Sequence, residues 1–237
     1  EVDGFVSAGS TGAVLAGGMF RLGRIPGVER PALAPLLPNG KGHFLLIDCG
    51  ANVDCKPEYL QQFGVMGSAY MQGVMGIKEP RVGLINIGAE SEKGNALVKA
   101  TYPLMETAPY NFVGNVEGNR IPFDACDVLV TDGYTGNVLL KTMEGMGKMF
   151  SGRMKSIFYH SLLTKLGDLT VKKPFMQFKK DMDAKEHGGS PILGLRKPVI
   201  KAHGSSDARA FKNAIRQAMS FAESGATAII ESLLGTE

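Results

Sequence analysis

A short apolar stretch, then a loop of small polar residues, then a helical stretch: this order recurs six times along the chain. The apolar stretches occupy residues 4–9, 44–50, 82–88, 111–115, 127–133 and 198–204. Each is almost continuously apolar, which is typical of strands that helices cover on both faces of a parallel sheet. The alternation therefore predicts an α/β fold in a single domain over residues 1–237, built as a three-layer α/β/α sandwich around a mainly parallel sheet.

Two helices can be placed from residues at their ends. Pro57 suits the first turn of a helix that runs to about residue 75, and Ser205 or Ser206 suits the N-cap of a helix over residues 208–234. The alternation stops between residues 138 and 183, where apolar residues recur at helical spacing. We expect an inserted long helical hairpin there, with its turn near residues 167–174.

The predicted hairpin has two candidate contacts. A hairpin cannot bury its own apolar face, which favours packing against a second copy in a homodimer. Its tip mixes apolar residues with lysines, which also suits peripheral contact with an anionic membrane surface. The tip lysines are Lys165, Lys172, Lys173, Lys179 and Lys180. The sequence leaves both contacts open.

Composition argues against several classes of protein. A formal net charge of +3 is too small for a dedicated nucleic-acid-binding protein. The three cysteines lack CxxC spacing, which argues against a disulfide framework or a zinc ribbon and favours a reducing cytoplasm. No apolar run is long enough to span a bilayer. The chain opens at Glu1 just before a predicted strand, so we also expect an upstream segment to be missing.

Polar loops follow the predicted strands, and in a parallel sheet such loops meet at one edge with the helix amino termini. Residues 7–12 offer hydroxyl and backbone N–H groups to an anion. Lys93 could neutralise an anion, or it could be an ordinary solvated lysine. Asn137 could donate to an oxyanion, or Thr135 or Asn137 could simply cap the following helix.

His203 follows the last predicted strand and could bond a substrate oxygen or transfer a proton. The four histidines show no HExxH or related ligand spacing, so no metal site is predicted. The sequence also lacks a GxSxG elbow, a Walker A loop and a GxGxxG fingerprint. Serine hydrolase, NTPase and dinucleotide-binding functions therefore lose their main support.

Five segments together resemble one family. They are residues 7–13 (SAGSTGA), 23–35 (GRIPGVERPALAP), 48–58 (DCGANVDCKPE), 131–137 (TDGYTGN) and 201–207 (KAHGSSD). They are similar to the PlsX family, the acyl-carrier-protein:phosphate acyltransferases of bacterial phospholipid synthesis. The resemblance covers essentially the whole chain and implies transfer of a fatty acyl group from acyl carrier protein to inorganic phosphate, which yields acyl phosphate. Because phosphate is already a nucleophile at neutral pH, neither a cofactor nor a protein nucleophile is expected.

The resemblance also implies roles for particular residues. Lys93 would neutralise phosphate or the oxyanion, and Asn137 would donate to the thioester carbonyl. The carrier protein is acidic, so it needs a basic docking surface, for which Arg209, Lys212 and Arg216 recur at helical spacing. These three could instead form a solvated helix face. The expected substrate-binding residues are Ser10, Thr11, Gly12, Asn52, Gly88, Asn95, Asn115 and His203.

The family further implies a fold like that of isocitrate and isopropylmalate dehydrogenases. It also implies a cytoplasmic, peripherally membrane-associated enzyme whose acyl phosphate is used by a downstream membrane acyltransferase. Three alternatives remain: a phosphotransacetylase acting on coenzyme A thioesters, a decarboxylating dehydrogenase of the isopropylmalate type, and a non-catalytic membrane-docked scaffold. The dehydrogenase would need clustered carboxylates for a divalent metal. Asp48, Asp54, Asp132 and Asp207 instead lie on separate loops.

Overall fold

The computed structural model describes residues 2–160, 171, 173–178 and 188–235. These residues form strands β1 (Phe5–Ser7), β2 (Ala32–Leu33), β3 (Leu36–Pro38), β4 (His43–Ile47), β5 (Arg81–Asn86), β6 (Asn111–Glu117), β7 (Val128–Val130), β8 (Gly189–Leu193) and β9 (Val199–Ala202). The helices are α1 (Thr11–Arg21), α2 (Pro57–Gly73), α3 (Ala96–Glu106), α4 (Gly133–Phe158), α5 (Ala208–Glu223) and α6 (Ala226–Leu234), with a 3₁₀ turn at Ile121–Phe123. All six predicted strands are present, and β2, β3 and β8 are additional.

The strands form two sheets rather than the single sheet expected from the sequence. One sheet has the order β3-β4-β7-β5-β6, and its pairs are parallel except for β3 with β4. The other has the order β1-β9-β8-β2, in which β1 and β9 are parallel and β8 is antiparallel to both of its neighbours. The α/β class is confirmed, whereas the expectation of one sheet is wrong. The likeness to the dehydrogenases stays a prediction.

The chain passes from one sheet to the other within residues 32–38. Ala32 and Leu33 pair with β8 in one sheet, and Leu36–Pro38 pairs with β4 in the other. Pro35 lies between them and has no N–H to donate to a sheet, which favours an interruption of strand pairing at this position. The chain crosses from one sheet to the other at this proline.

Helices cover both faces of the five-stranded sheet because successive strand residues point to opposite sides. Leu45 and Ile47 belong to a core cluster with α2, and Phe44 and Leu46 belong to a second cluster with residues of α1 and α4. α2 is the central helix of the first face. Its Gly67 approaches β7 so closely that a Cβ there would lie 2.5 Å from Cγ1 of Val128.

The helix predicted over residues 208–234 is in fact two helices, α5 and α6. Gly225 separates them with a φ of +70°, a left-handed conformation that cannot continue an α-helix. The Ser224 hydroxyl accepts a hydrogen bond from the N–H of Ala226 at 3.1 Å and so starts α6. α5 is joined to α2 through Gln217, whose amide donates to the buried Tyr70 hydroxyl at 3.1 Å.

α4 forms the first arm of the predicted hairpin, although it begins at Gly133 rather than at residue 138. Its 26 residues correspond to a length of about 39 Å. Most of the predicted turn and second arm falls outside the described residues, as do four of the five tip lysines. Residues 171 and 173–178 are helical, and the ring of Phe175 lies edge-on to that of Phe158 with centroids 5.6 Å apart. Within the described ranges, no helix has the length and apolar character to cross a bilayer.

Candidate active site

A cleft of about 920 Å³ opens between the two sheets. Its floor includes Leu33, Leu36 and Leu37, which belong to the segment that passes from one sheet to the other, together with Cys49. One wall is a face of α4. The opposite wall comes from the loop between β1 and α1, the start of β8, and the loop between β9 and α5. The cleft therefore collects strand ends and helix starts from both sheets.

Ser10 and Thr11 bring the amino terminus of α1 to the cleft wall. Ser10 is the N-cap of this helix, and its hydroxyl accepts a hydrogen bond from the N–H of Ala13 at 3.4 Å. The first N–H groups of a helix have no partner within the helix and carry partial positive charge, which favours a phosphate or carboxylate. Gly12 lies in the same turn but does not line the cleft.

His203 lines the cleft beside Ser205. Its Nδ1 accepts a hydrogen bond from the backbone N–H of Ser205 at 3.1 Å and lies 2.7 Å from the Ser205 hydroxyl. Because a backbone N–H can only donate, this contact fits the tautomer in which Nδ1 accepts and Nε2 carries the proton. The remaining polar atom that the ring offers is thus a hydrogen-bond donor.

Lys201 is a cleft residue that sequence analysis did not assign to the site. It lies on β9 between Ser7 of β1 and Ser190 of β8, and it is half-buried. Burial lowers the pKa of its ammonium group. One signal for it was present in the sequence, because Lys201 is the only charged residue within the otherwise apolar strand Val199–Ala202.

Asn137 lies in the first turns of α4 and lines the cleft. The N-cap of α4 is Asp132, whose carboxylate accepts hydrogen bonds from the backbone N–H of Thr135 at 2.9 Å and from its hydroxyl at 2.8 Å. Capping by Thr135 or Asn137, the alternative that the sequence left open, is therefore wrong. Among the described residues the Asn137 amide has no hydrogen-bond partner, so it is available to a bound molecule.

Asp48 holds together the backbone from which α4 starts. It is fully buried, and its carboxylate accepts hydrogen bonds from the backbone N–H groups of Leu33, Cys49 and Asn52 at 2.9, 2.7 and 2.6 Å. Burial raises the pKa of Asp48, and the hydrogen bonds to it oppose that rise. Since Leu33 belongs to one sheet and Asp48 follows a strand of the other, this carboxylate ties the two sheets together at the floor of the cleft.

Asn52 supports Asp48 rather than facing the cleft. Its amide donates to the Asp48 carboxylate at 3.0 Å and to the Pro31 carbonyl at 2.9 Å. The backbone carbonyl of Asn52 accepts a hydrogen bond from the backbone N–H of Gly133 at 2.7 Å. This bond anchors the first residue of α4. Asn52 thus supports the start of the helix that carries Asn137, and it does not line the cleft itself.

Four other predicted site residues gather at the end of β5 and β6, away from the lining of the cleft. Asn95 is the N-cap of α3 and accepts from the N–H of Val98 at 2.9 Å, and Asn115 donates to the Glu90 carbonyl at 2.8 Å. Lys93 is exposed in the same loop, and a Cβ on Gly88 would lie 3.1 Å from its Cγ. Lys93 and Asn137 follow the adjacent parallel strands β5 and β7, so their loops share one edge of the sheet, but only Asn137 lines the cleft.

The three basic residues predicted for carrier docking are exposed on α5. Ala210, in the first turn of this helix, lines the cleft together with Ser205 and Ser206 before it. The basic residues thus lie on a helix that starts at the cleft. Across the described residues there is no cluster of three or more His, Cys, Asp or Glu side chains arranged to hold a metal ion.

Comparisons with known proteins give one family. The sequence pattern of the fatty acid synthesis protein family matches residues 1–228. A phosphate acyltransferase of Clostridium novyi is 52% identical over 95% of this chain and 68% of its own length. Phosphate acyltransferases of Thermoanaerobacterium thermosaccharolyticum and Brevibacillus brevis are 50% and 49% identical, over 94% and 99% of this chain. The chain spans about two thirds of the length of these relatives, 67% and 70% for the last two.

Solved structures show the same fold in more distant proteins. A phosphotransacetylase from Streptococcus pyogenes matches with a TM-score of 0.61 at 18% identity, covering 94% of this chain and 64% of that chain. A branched-chain phosphotransacylase from Enterococcus faecalis V583 matches with a TM-score of 0.60 at 14% identity, covering 94% of this chain and 75% of that chain. At these identities the likeness concerns the fold alone.

Proposed function

The chain belongs to the phosphate acyltransferase family, and on that premise we propose that it transfers a fatty acyl group from the thioester of acyl carrier protein to inorganic phosphate. The observation that carries this proposal is the make-up of the cleft. Donors and Lys201 converge on it from strand ends and helix starts. Leucines line its floor, and Leu140 and Met143 line the α4 wall beside the charged residues Lys141, Glu144 and Lys148. One site therefore offers a place for an anion and a place for an apolar chain.

The chemistry needs no protein nucleophile. An oxygen of hydrogen phosphate attacks the thioester carbonyl carbon, a tetrahedral oxyanion forms, and the C–S bond then breaks. The products are acyl phosphate and the free thiol of the carrier, and the proton lost by phosphate ends on the departing sulfur. The protein has to hold the anion, align it with the carbonyl and stabilise the oxyanion.

The cleft residues suit these tasks. The amino terminus of α1 and the ammonium group of Lys201 would hold phosphate, and the Nε2–H of His203 would donate to it. The unpartnered amide of Asn137 would donate to the thioester oxygen as negative charge develops there. Lys93 remains a proposed catalytic residue through the family resemblance and through its place at the same sheet edge as Asn137.

The exposed basic residues of α5 would receive the acidic carrier protein. Arg209, Lys212 and Arg216 lie on the helix whose start lines the cleft, so a carrier bound there would have its thioester near the site. Charge reversal at Arg209 and Arg216 should weaken binding of the carrier and flatten its salt dependence. Unchanged binding and salt dependence would remove this surface from the proposal.

The outer half of α4 supports the proposed homodimer and peripheral membrane contact. Large apolar side chains are exposed there, namely Met146, Met149, Phe150, Met154 and Ile157. A second copy or a membrane surface would remove them from water. We further propose that the enzyme works in the cytoplasm at the membrane, where a downstream acyltransferase would consume the acyl phosphate.

The decisive experiment incubates the complete protein with hexadecanoyl acyl carrier protein, with and without phosphate. Phosphate-dependent release of the free carrier thiol and formation of acyl phosphate are expected. A parallel arm with hexadecanoyl coenzyme A separates a carrier-dependent enzyme from a coenzyme A-dependent one, and an arm with a magnesium chelator tests for metal-dependent chemistry. Carrier thioester that stays intact in phosphate would refute the proposed function.

A further inference from the structure

One face of α4 runs along the cleft. The α4 residues that line the cleft lie on one side of the helix, between Asn137 and Ser151. They form two adjacent rows: an apolar row of Leu140, Met143 and Gly147, and a charged row of Lys141, Glu144 and Lys148. Leu140 and Met143 also pack against the core cluster beneath the five-stranded sheet. Beyond the Asn137 amide, the helix therefore presents the cleft with an apolar row that ends at Gly147 and with a charged row beside it.

Gly147 has no side chain and therefore leaves space beside α4 in the cleft. Among the described residues, a Cβ at this position would meet no atom within 4 Å, and Gly147 itself lines the cleft. The helical rise puts Gly147 about 15 Å beyond Asn137. A C–C bond of about 1.5 Å in a zigzag chain advances about 1.3 Å per carbon, so this distance corresponds to about 12 carbons.

We propose that Gly147 sets the length of acyl chain that the cleft accepts. This assignment rests on the proposed function, because it places the thioester carbonyl at Asn137 and the alkyl chain along α4. Donors of about ten carbons or fewer end before Gly147, whereas a hexadecanoyl chain passes it. A side chain at position 147 would project into the path of the longer chain only.

The test compares Gly147→Ala and Gly147→Leu with Gly145→Leu. Gly145 lies about 160° from Gly147 around the helix and is exposed. A Cβ there also meets no atom of the described part of the chain within 4 Å. Gly145→Leu and Gly147→Leu raise helix propensity equally, so Gly145→Leu controls for every effect except obstruction of the cleft. Values of kcat/KM are measured for octanoyl, decanoyl and hexadecanoyl acyl carrier protein.

We expect Gly147→Leu to lower the ratio of hexadecanoyl to decanoyl kcat/KM about fifteenfold or more. Each methylene kept out of the apolar cleft weakens binding about fourfold, and the leucine side chain takes the place of at least two. Gly147→Ala should give a smaller shift in the same direction, and Gly145→Leu should keep the wild-type ratio. An unchanged ratio in Gly147→Leu, or an equal fall in Gly145→Leu, overturns the assignment.

Binding of free fatty acids by calorimetry separates this assignment from the proposed function. If no protein forms acyl phosphate but Gly147→Leu selectively loses affinity for hexadecanoate over decanoate, the enzymatic proposal fails and the role of Gly147 stands. If wild type forms acyl phosphate and the binding profiles of wild type and Gly147→Leu coincide, the enzymatic proposal stands and the role of Gly147 fails.

Discussion

Gly133 and its close contact with the loop after β4 make a sharp test of how the site is positioned. A Cβ on this glycine would lie 2.5 Å from the backbone oxygen of Asn52 and 2.9 Å from the Asp48 carboxylate. Real Cβ contacts fall at about 3.0 Å or more, so Gly133→Ala must move the start of α4 by about 0.5–0.9 Å. Asn137 is one helical turn further on, and it moves with that turn.

The displacement should cost both stability and rate. Forcing a methyl group against backbone costs about 1–3 kcal/mol. A misplacement of about 1 Å at a reacting group can cost about a hundredfold in rate, so we expect kcat to fall about ten- to hundredfold in Gly133→Ala. Gly145→Ala is the matched control on the same helix, because its Cβ meets no atom within 4 Å among the residues that the structure describes.

Two measurements check this prediction independently. Chemical denaturation compares the free energy of unfolding of the two variants with that of the wild type, and steady-state acyl phosphate formation gives kcat. Wild-type stability and wild-type kcat in Gly133→Ala would refute the view that Asp48 and Asn52 position Asn137 through this contact. Equal losses in Gly145→Ala would show that any alanine in α4 has the same effect, and would refute it equally.

The remaining predictions concern individual side chains. Asn137→Ala should lower kcat by about 10²–10³-fold as the loss of an oxyanion donor, and Lys93→Ala should slow turnover or raise the KM for phosphate; unchanged steady-state kinetics in both variants would contradict these roles. Lys201→Met should raise the KM for phosphate. Because burial lowers the pKa of Lys201, its positive charge is lost at lower pH than that of an ordinary lysine, so the KM for phosphate in the wild type should rise on the alkaline side and Lys201→Met should abolish that rise. Burial raises the pKa of the Cys126 thiol to about 12, so iodoacetamide at pH 8 should leave it unmodified in the folded protein, and alkylation at the rate of a free thiol would contradict this.

Among the strands that the sequence revealed, the clearest is one whose apolar residues form an unbroken run. β4 is buried on both faces and carries Phe44–Ile47 without a polar residue, so its pattern alone predicts a central strand. β2 is two residues long, and β8 begins with glycine and contains Pro191, so neither has a pattern that marks a strand. β2 is a strand because it pairs with β8 across about 160 residues of chain, and β8 pairs with β9 as well as with β2.

At the break between α5 and α6, two local signals compete: helical periodicity of apolar residues and a glycine that can end a helix. Apolar residues continue at helical spacing through Gly225, and this periodicity predicts one helix. The glycine nevertheless adopts a left-handed conformation, and Ser224 restarts the hydrogen-bonding pattern. Glycine inside a helical pattern is compatible with either outcome, and packing decides between them.

In the candidate site, too, a local sequence signal is compatible with more than one role for a residue. The rule that loops at the carboxyl ends of strands carry ligand-binding groups selected Ser10, Asn137 and His203, and these three residues line the cleft. The same rule also selected Asn52 and Asn95, whose side chains instead bond to Asp48 and cap α3. An asparagine that binds a ligand and one that supports a turn have the same local sequence signature.

The sequence by itself determined the α/β class, six of the nine strands in the described residues and the family, because apolar runs, helix caps and motifs are properties of neighbouring residues. Only the tertiary structure decided that the strands divide into two sheets at Pro35 and that Asp48 joins them. It also placed Lys201 beside His203 and Asn137 in one cleft and left Lys93 outside it. Those relations depend on pairing and packing between segments far apart in the chain, where burial and hydrogen-bond geometry select one arrangement among many that the local pattern allows.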